Sequence, residues 1–104
     1  MTQPVDFETF LFECIGKGLD HFGSSFKYVV YHELENTDHI EGKEIIRKPL
    51  TFSDALDRMF GAGSVSIKKA IVRELATDFG LTMSQEDLVS MINKIREKDG
   101  SWKK

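Results

Sequence analysis

The sequence predicts an all-α fold, a compact single-domain bundle of about five helices. Apolar residues recur three or four positions apart along most of the chain, which is the spacing of one face of a helix. No segment alternates apolar and polar residues as a half-buried strand does. Glycine or serine punctuates the apolar stretches, which indicates short connections. The 104 residues are enough for one domain with one core.

The first predicted helix runs from about Val5 to Phe22. With Phe12 included, its apolar arc widens to roughly 200° at about 100° per residue, more than one buried face requires. Either the helix lies centrally with neighbours on two sides, or part of it contacts another chain. Gly23 is expected to end it at positive φ. Its apolar positions are Phe7, Phe10, Leu11, Cys14, Ile15, Leu19 and Phe22.

The second predicted helix begins after a cap at Ser24 or Ser25 and ends near Glu35. Its inner stripe consists of Phe26, Val30 and Leu34, with Val29 beside it. The stretch 36–49 lacks a regular pattern. We expect a short helical turn at about 43–46 and isoleucine contacts with the core at Ile40, Ile45 and Ile46.

Three more helices are predicted in the second half of the chain. Thr51 with Asp54, and Ser84 with Asp87, have the spacing of a capping box in which Asp replaces the usual Glu. Ser64 is expected to cap the helix between them. The predicted ranges are about 51–60, 64–79 and 85–98, followed by a short tail at 99–104 that contains Trp102.

Composition excludes several classes of protein. The formal net charge of −3 excludes a generally basic nucleic-acid coat. No apolar run approaches the roughly 20 residues that cross a bilayer. Cys14 is the only cysteine, so no internal disulfide forms, and the N-terminal residues lack the pattern of a signal peptide. We therefore expect a cytoplasmic protein that does not contact membranes.

The charges are unevenly spread. Residues 1–42 contain eight acidic and two basic residues, whereas residues 43–104 contain nine acidic and twelve basic residues. Such asymmetry can steer a charged partner or support head-to-tail self-association. Two solvated faces that meet within the fold would give the same pattern.

Patterns of catalysis and metal binding are not found in the sequence. There is no nucleophile elbow, no Gly-rich phosphate loop and no His-Glu-x-x-His. Cys14 lies on the apolar arc and is expected to be a buried, unreactive side chain. His32 and Glu35 share a helix face, but a zinc site needs three or four ligands. We expect no catalytic residue, metal or cofactor; an enzyme with a shallow site around His32 is the least favoured hypothesis.

The break at 61–63 has the outline of a helix-hairpin-helix DNA-binding element, in which backbone N–H groups and a helix N-terminus hold a phosphate. A helix-turn-helix with the fourth or fifth helix in the major groove is another form of this hypothesis. The alternative is a glycine-permitted tight turn between closely packed helices, which the sequence favours. The candidate nucleic-acid contacts are Gly61, Gly63, Ser64, Lys68, Lys69 and Arg73.

Aromatic residues predict an interface with another protein. Tyr28 and Tyr31 lie on or near the outer side of the second helix, beside His32, and Phe12 lies at the edge of the first helix. Tyrosine and phenylalanine are enriched at the centres of interfaces. The partner would be another protein or a second copy in a homodimer. Alternatively, the third helix or the stretch 36–49 covers these side chains and completes the core.

The order of these features resembles a known family. The segments that carry the resemblance are Gly23-Ser24-Ser25, Tyr31-His32-Glu33-Leu34-Glu35 and Phe60-Gly61-Ala62-Gly63-Ser64. Over about residues 7–81 the chain resembles the archaeal Nitrosopumilus output domain family of the fifth type. The resemblance implies an all-helical signalling module without established catalytic residues, extended here by the helix at about 85–98. The sequence thus predicts a non-enzymatic interaction or regulatory module, with a small DNA-binding regulator as the alternative.

Overall fold

The computed structural model describes residues 7–81 and 87–97. Within these residues the chain forms six α-helices and no strand, which confirms the all-α prediction. One helix, α3, is a single turn, and the other five correspond to the predicted helices. A π-helical turn (Leu34–Asp38) extends α2, and a 3₁₀ turn (Gly61–Gly63) joins α4 to α5. The helices are α1 (Phe7–Asp20), α2 (Phe26–Glu33), α3 (Glu44–Arg47), α4 (Pro49–Phe60), α5 (Ser64–Asp78) and α6 (Leu88–Arg96).

Two helix starts differ from the predicted ones. α4 begins before Thr51, because Pro49 takes the first helical position, where its fixed φ and missing N–H suit the first turn. The predicted capping box at Thr51 is therefore wrong. α6 is capped by Asp87 itself, whose carboxylate accepts a hydrogen bond from the Ser90 amide at 2.8 Å. Ser84, the predicted cap, lies outside the described residues.

The serines expected to cap α2 and α5 do not act as side-chain caps. Ser25 precedes α2, but its hydroxyl makes no capping hydrogen bond. Ser64 is the first residue of α5 and follows Gly63. Its hydroxyl donates to the Asp57 carboxylate on α4 instead. That hydrogen bond ties the two helices together across the glycine turn.

α1 lies at the centre of the fold and packs against α5, α2 and α3. α1 and α5 approach each other closely at Gly18, where an added Cβ would lie only 2.7 Å from the Cα of Ile71. On its other side, α1 contacts α2 through Phe12, which stacks on Tyr31 with ring centroids 5.1 Å apart. The wide apolar arc is thus covered within one chain, the first of the two alternatives that the sequence allowed.

The end of α1 departs from the predicted apolar stripe. α1 ends at Asp20, so Phe22 leaves the helix face, and its side chain is 41% exposed. The Phe22 ring packs on Phe26 with centroids 5.4 Å apart. Gly23 has a φ of 125°, which confirms that the turn uses a glycine at positive φ.

The core draws side chains from every helix. The irregular stretch before α4 contributes Ile40, Ile45 and Ile46, as predicted, and each is at most 1% exposed. Cys14 is also buried, at 1% exposure. No helix among the described ranges combines the length and the apolar character needed to cross a membrane. The largest fully buried side chains include Phe52, Leu11, Ile15, Leu19, Leu34, Leu56, Ile71, Leu75 and Leu88.

Candidate interaction surface

An open groove of about 670 Å³ lies between α2 and the C-terminal end of α4. α2 is short, and Val30 is its one fully buried residue, whereas Tyr28, Val29 and His32 are exposed. Tyr28 and Val29 are 64% and 60% exposed beside this groove. Contiguous exposed apolar side chains mark interaction sites on soluble proteins. The groove is lined by Ser25, Tyr28, Val29, His32, Glu33, Met59 and Phe60.

A row of phenylalanine rings extends the groove toward α5. Phe26 lies between Phe22 and Phe60, with ring centroids 5.4 Å and 5.2 Å from theirs. Phe60 lines the groove, whereas Phe22 lines a second cavity of about 350 Å³. We call the groove, the phenylalanine row and this second cavity the α2 surface. The second cavity is otherwise lined by His21, Ser66, Lys69, Ala70 and Arg73.

The second cavity forms the positive end of the α2 surface. Lys69 and Arg73 are exposed and lie four positions apart on α5, so their side chains are neighbours. Neither side chain forms an ion pair with a described residue. By contrast, Lys17 lies 3.2 Å from Glu74, and that carboxylate also lies 3.6 Å from the His21 ring. Lys69 and Arg73 therefore present uncompensated positive charge beside an exposed aromatic ring.

The other end of α2 is acidic. Arg58 donates to both oxygens of Asp38, at 3.2 Å and 2.8 Å, and its Nη2 lies 3.8 Å from Glu33. Glu33 also accepts a hydrogen bond from the Thr37 hydroxyl at 2.7 Å. Glu35 is exposed and forms no ion pair within the described part of the chain. Asp38 and Glu33 thus share the single guanidinium of Arg58, and Glu35 adds a third carboxylate without a cation, so the charges at this end sum to −2.

The four predicted interface residues divide into two pairs. Tyr28 and His32 line the groove, and the His32 ring contacts Asn36 with nitrogens 2.7 Å apart rather than pairing with Glu35. Phe12 and Tyr31 instead cover each other between α1 and α2. The Tyr31 hydroxyl is buried without a hydrogen-bond partner among the described residues, and burial raises its pKa. This pair belongs to internal packing.

Several residues of the α2 surface were not identified from the sequence. Val29 is expected beside the inner stripe, yet it lies about 100° around the helix from Val30 and is 60% exposed, so it is the residue of the two that faces the groove. Met59 and Phe60 line the groove because of how α4 docks on α2, and no local sequence pattern indicates that docking.

The glycine turn between α4 and α5 already holds a carboxylate. Asp57 Oδ1 accepts hydrogen bonds from Lys68 Nζ at 2.8 Å and from the Ser64 hydroxyl at 2.5 Å. The Lys68 hydrogen bond, followed by that of Ser64, lowers the pKa of Asp57. Two residues predicted to contact phosphate are thus engaged by a protein anion, and Gly61 and Gly63 are exposed beside them.

The six candidate nucleic-acid contacts do not form one site. Lys69 and Arg73 lie in the second cavity with His21 and Phe22. Lys68 is held by Asp57 at the glycine turn. Of the basic residues of α5, Lys68 is therefore neutralised by Asp57, whereas Lys69 and Arg73 have no carboxylate partner among the described residues.

The part of the chain that the structure describes offers little for catalysis or metal binding. Burial, followed by a hydrogen bond with Asp78, raises the pKa of the Cys14 thiol to about 12. The reactive form of cysteine is the thiolate, so the environment of Cys14 opposes nucleophilic chemistry. Among residues 7–81 and 87–97, no three His, Cys, Asp or Glu side chains are grouped as metal ligands would be.

Comparison with protein-family models, with curated proteins and with solved structures found no match to this chain. The resemblance to the Nitrosopumilus output domain family thus stays a prediction. Assignment of function depends on the α2 surface itself.

Proposed function

We propose that this protein is a non-enzymatic interaction module that contacts a partner protein through the α2 surface. The observation that carries the proposal is the exposure of Tyr28 and Val29, which line an open groove together with Met59 and Phe60. The resemblance to a family of signalling output domains agrees with such a role. A cytoplasmic location is part of the proposal and is supported by the single free cysteine, Cys14.

The groove suits apolar side chains of a partner helix or loop. Burying one large apolar side chain contributes about 1.5–3 kcal/mol, and aromatic anchors in desolvated pockets dominate many interfaces. Tyr28 offers a large ring with few rotatable bonds, so that ordering it costs little entropy. Polar residues at the rim, Ser25 and Glu33, would keep the groove hydrated when no partner is bound.

A matched pair of variants tests this proposal. Val29→Glu places a charge in the groove, whereas Leu50→Glu changes a side chain of similar exposure, 62% against 60%, at the far end of α4. The wild type and each variant would be expressed with an affinity tag in the source organism and purified together with the proteins bound to them. We expect partner proteins to be recovered with the wild type and with Leu50→Glu but not with Val29→Glu. Equal recovery with Val29→Glu would contradict the proposal.

The second candidate function is nucleic-acid binding, which the uncompensated charges of Lys69 and Arg73 favour. The Asp57 carboxylate opposes it, because it lies at the N-terminal end of α5 where a phosphate would bind. Anisotropy of labelled duplex DNA, at roughly 50 mM and 200 mM salt, separates the two functions. The interaction role predicts no binding at the lower salt. Binding that falls steeply with salt and disappears in Lys69→Ala/Arg73→Ala would establish the alternative.

A further inference from the structure

We infer that the α2 surface is self-complementary and that its partner is a second copy of this chain in a two-fold symmetric homodimer. The inference rests on the proposed function and names the partner for that same surface. The sequence suggested a homodimer because of the wide arc of α1, but Phe12 and Tyr31 cover that arc internally. The charges at the two ends of the α2 surface favour a second copy instead.

The α2 surface has an apolar centre between ends of opposite charge. Lys69 and Arg73 on α5 share a cavity with Phe22, which precedes α2 in the chain, and Glu33 is the last residue of α2. Phe26 and Glu33 are seven positions apart, which is about 10 Å along the helix at about 1.5 Å per residue. Phe22, which shares its cavity with Lys69 and Arg73, packs on Phe26 with ring centroids 5.4 Å apart, so the basic end adjoins the N-terminal end of α2. An ordinary protein interface, about 800 Å² on each partner, is large enough to include both ends.

Two-fold symmetry makes these ends complementary. In a two-fold dimer the same patch faces itself in the opposite direction, so residue i of one copy meets residue j of the other, and the reverse. An axis through the middle of the groove places Lys69 and Arg73 of one copy against the acidic end of the other. The apolar centres then bury each other, and Tyr28 and Val29 lose their exposure to water.

A second copy satisfies both ends at once, which an acidic or a basic partner would not. Lys69 and Arg73 have no ionic partner among the described residues, and the acidic end carries two surplus negative charges. A purely acidic protein would neutralise Lys69 and Arg73 but would be repelled by the acidic end of the same surface. Charge complementarity of this kind also sets the register of the two partners and raises the rate of association.

A charge exchange tests the arrangement. The first variant, Lys69→Glu/Arg73→Glu, makes both ends acidic, and the second, Glu33→Lys/Glu35→Lys, makes both ends basic. Each variant alone should repel itself, whereas an equal mixture restores opposite charges at both contacts. Native mass spectrometry distinguishes the two chains by mass, and sedimentation equilibrium measures the dissociation constants.

We expect the wild type to dimerise and each variant to dimerise at least about tenfold more weakly, equivalent to about 1.4 kcal/mol. The mixture should form the heterodimer with a dissociation constant within about tenfold of the wild type. The control Lys48→Glu/Arg96→Glu has the same net charge as the first variant but changes exposed cations outside the α2 surface. This control should dimerise as the wild type does.

Three outcomes would overturn the inference: a wild type that stays monomeric at millimolar concentration, a dimer that persists in both variants, or a mixture that remains monomeric. Circular dichroism verifies that each variant is helical. The neutral pair Glu33→Gln/Glu35→Gln is measured in parallel, because it removes charge without adding repulsion near Arg58 and must also weaken the dimer.

If the wild type is monomeric but Val29→Glu still reduces the recovery of other proteins in the affinity purification, the proposed interaction role is supported and the homodimer is refuted. If Val29→Glu changes neither dimerisation nor recovery, the proposed function itself fails.

Discussion

Replacing Gly18 by alanine is expected to destabilise the fold by about 1–2 kcal/mol. The added Cβ would lie 2.7 Å from the Cα of Ile71 and 3.1 Å from its Cγ1. Carbon atoms pack best at about 3.5–4.0 Å. Because the nearer atom belongs to the backbone, no side-chain rotation relieves the contact, and α1 must move away from α5.

The magnitude follows from two opposing contributions. Overpacking a core costs about 1–3 kcal/mol, and the backbone obstruction places Gly18→Ala in the upper half of that range. Alanine in a helix is more favourable than glycine by about 0.8–1.0 kcal/mol, which offsets part of the loss. The remaining cost is large enough to measure against the stability of a small domain, about 5–15 kcal/mol.

Urea unfolding followed by circular dichroism measures this cost, with Gly16→Ala as the matched control. Gly16 is also a buried glycine within α1, but its added Cβ would lie 3.4 Å from the Tyr31 hydroxyl and 3.5 Å from Lys27 Cδ. These are side-chain atoms at nearly ordinary contact distance, so helix propensity dominates and the control should gain up to about 1 kcal/mol. If Gly18→Ala unfolded at the same urea concentration as the wild type or higher, with an unchanged denaturant slope, the close crossing of α1 and α5 would be refuted.

Three further predictions concern titration, reactivity and the charged pair. A lysine hydrogen bond lowers the pKa of Asp57, and a backbone amide lowers that of Asp87. The stability that these carboxylates contribute is present above their unfolded pKa of about 4 and is lost as the pH falls through their lower pKa values in the folded protein. Thermal unfolding at successive pH values should show this loss of stability, and the loss should be smaller in Asp57→Asn. Iodoacetamide should label Cys14 far more slowly in the folded protein at neutral pH than in urea, because burial raises the thiol pKa to about 12, and equal rates would refute this. Lys69→Ala/Arg73→Ala should leave the unfolding midpoint unchanged, and a clear shift would show that the pair has a structural role.

Helical periodicity sufficed to predict the all-α fold, because each amphipathic stretch carries its own evidence. The starts of helices were less predictable, because several neighbouring residues can each begin a helix. α4 begins at Pro49 rather than after a cap at Thr51, and Asp87 is the N-cap of α6. The close approach at Gly18 had no signal in the sequence. Which glycine meets another helix depends on the crossing of α1 and α5, which is a property of the whole fold.

The candidate site was predicted in part for the same reason. Tyr28 and His32 were identified because their outward position follows from the phase of α2 alone. Phe60 was missed, since its role depends on the docking of α4 against α2. Lys69 and Lys68 are adjacent in sequence, yet only the three-dimensional placement of Asp57 shows which of them is compensated.

The central claim is that the α2 surface is where this protein meets its partner. Photo-crosslinking tests it most directly, with a photoreactive benzoylphenylalanine in place of Tyr28 and, as the matched control, in place of Leu50, since these side chains are 64% and 62% exposed. We expect covalent adducts from position 28, with a second copy of the chain among them, and none from position 50. Equal yields from the two positions, or no adduct from position 28, would contradict it.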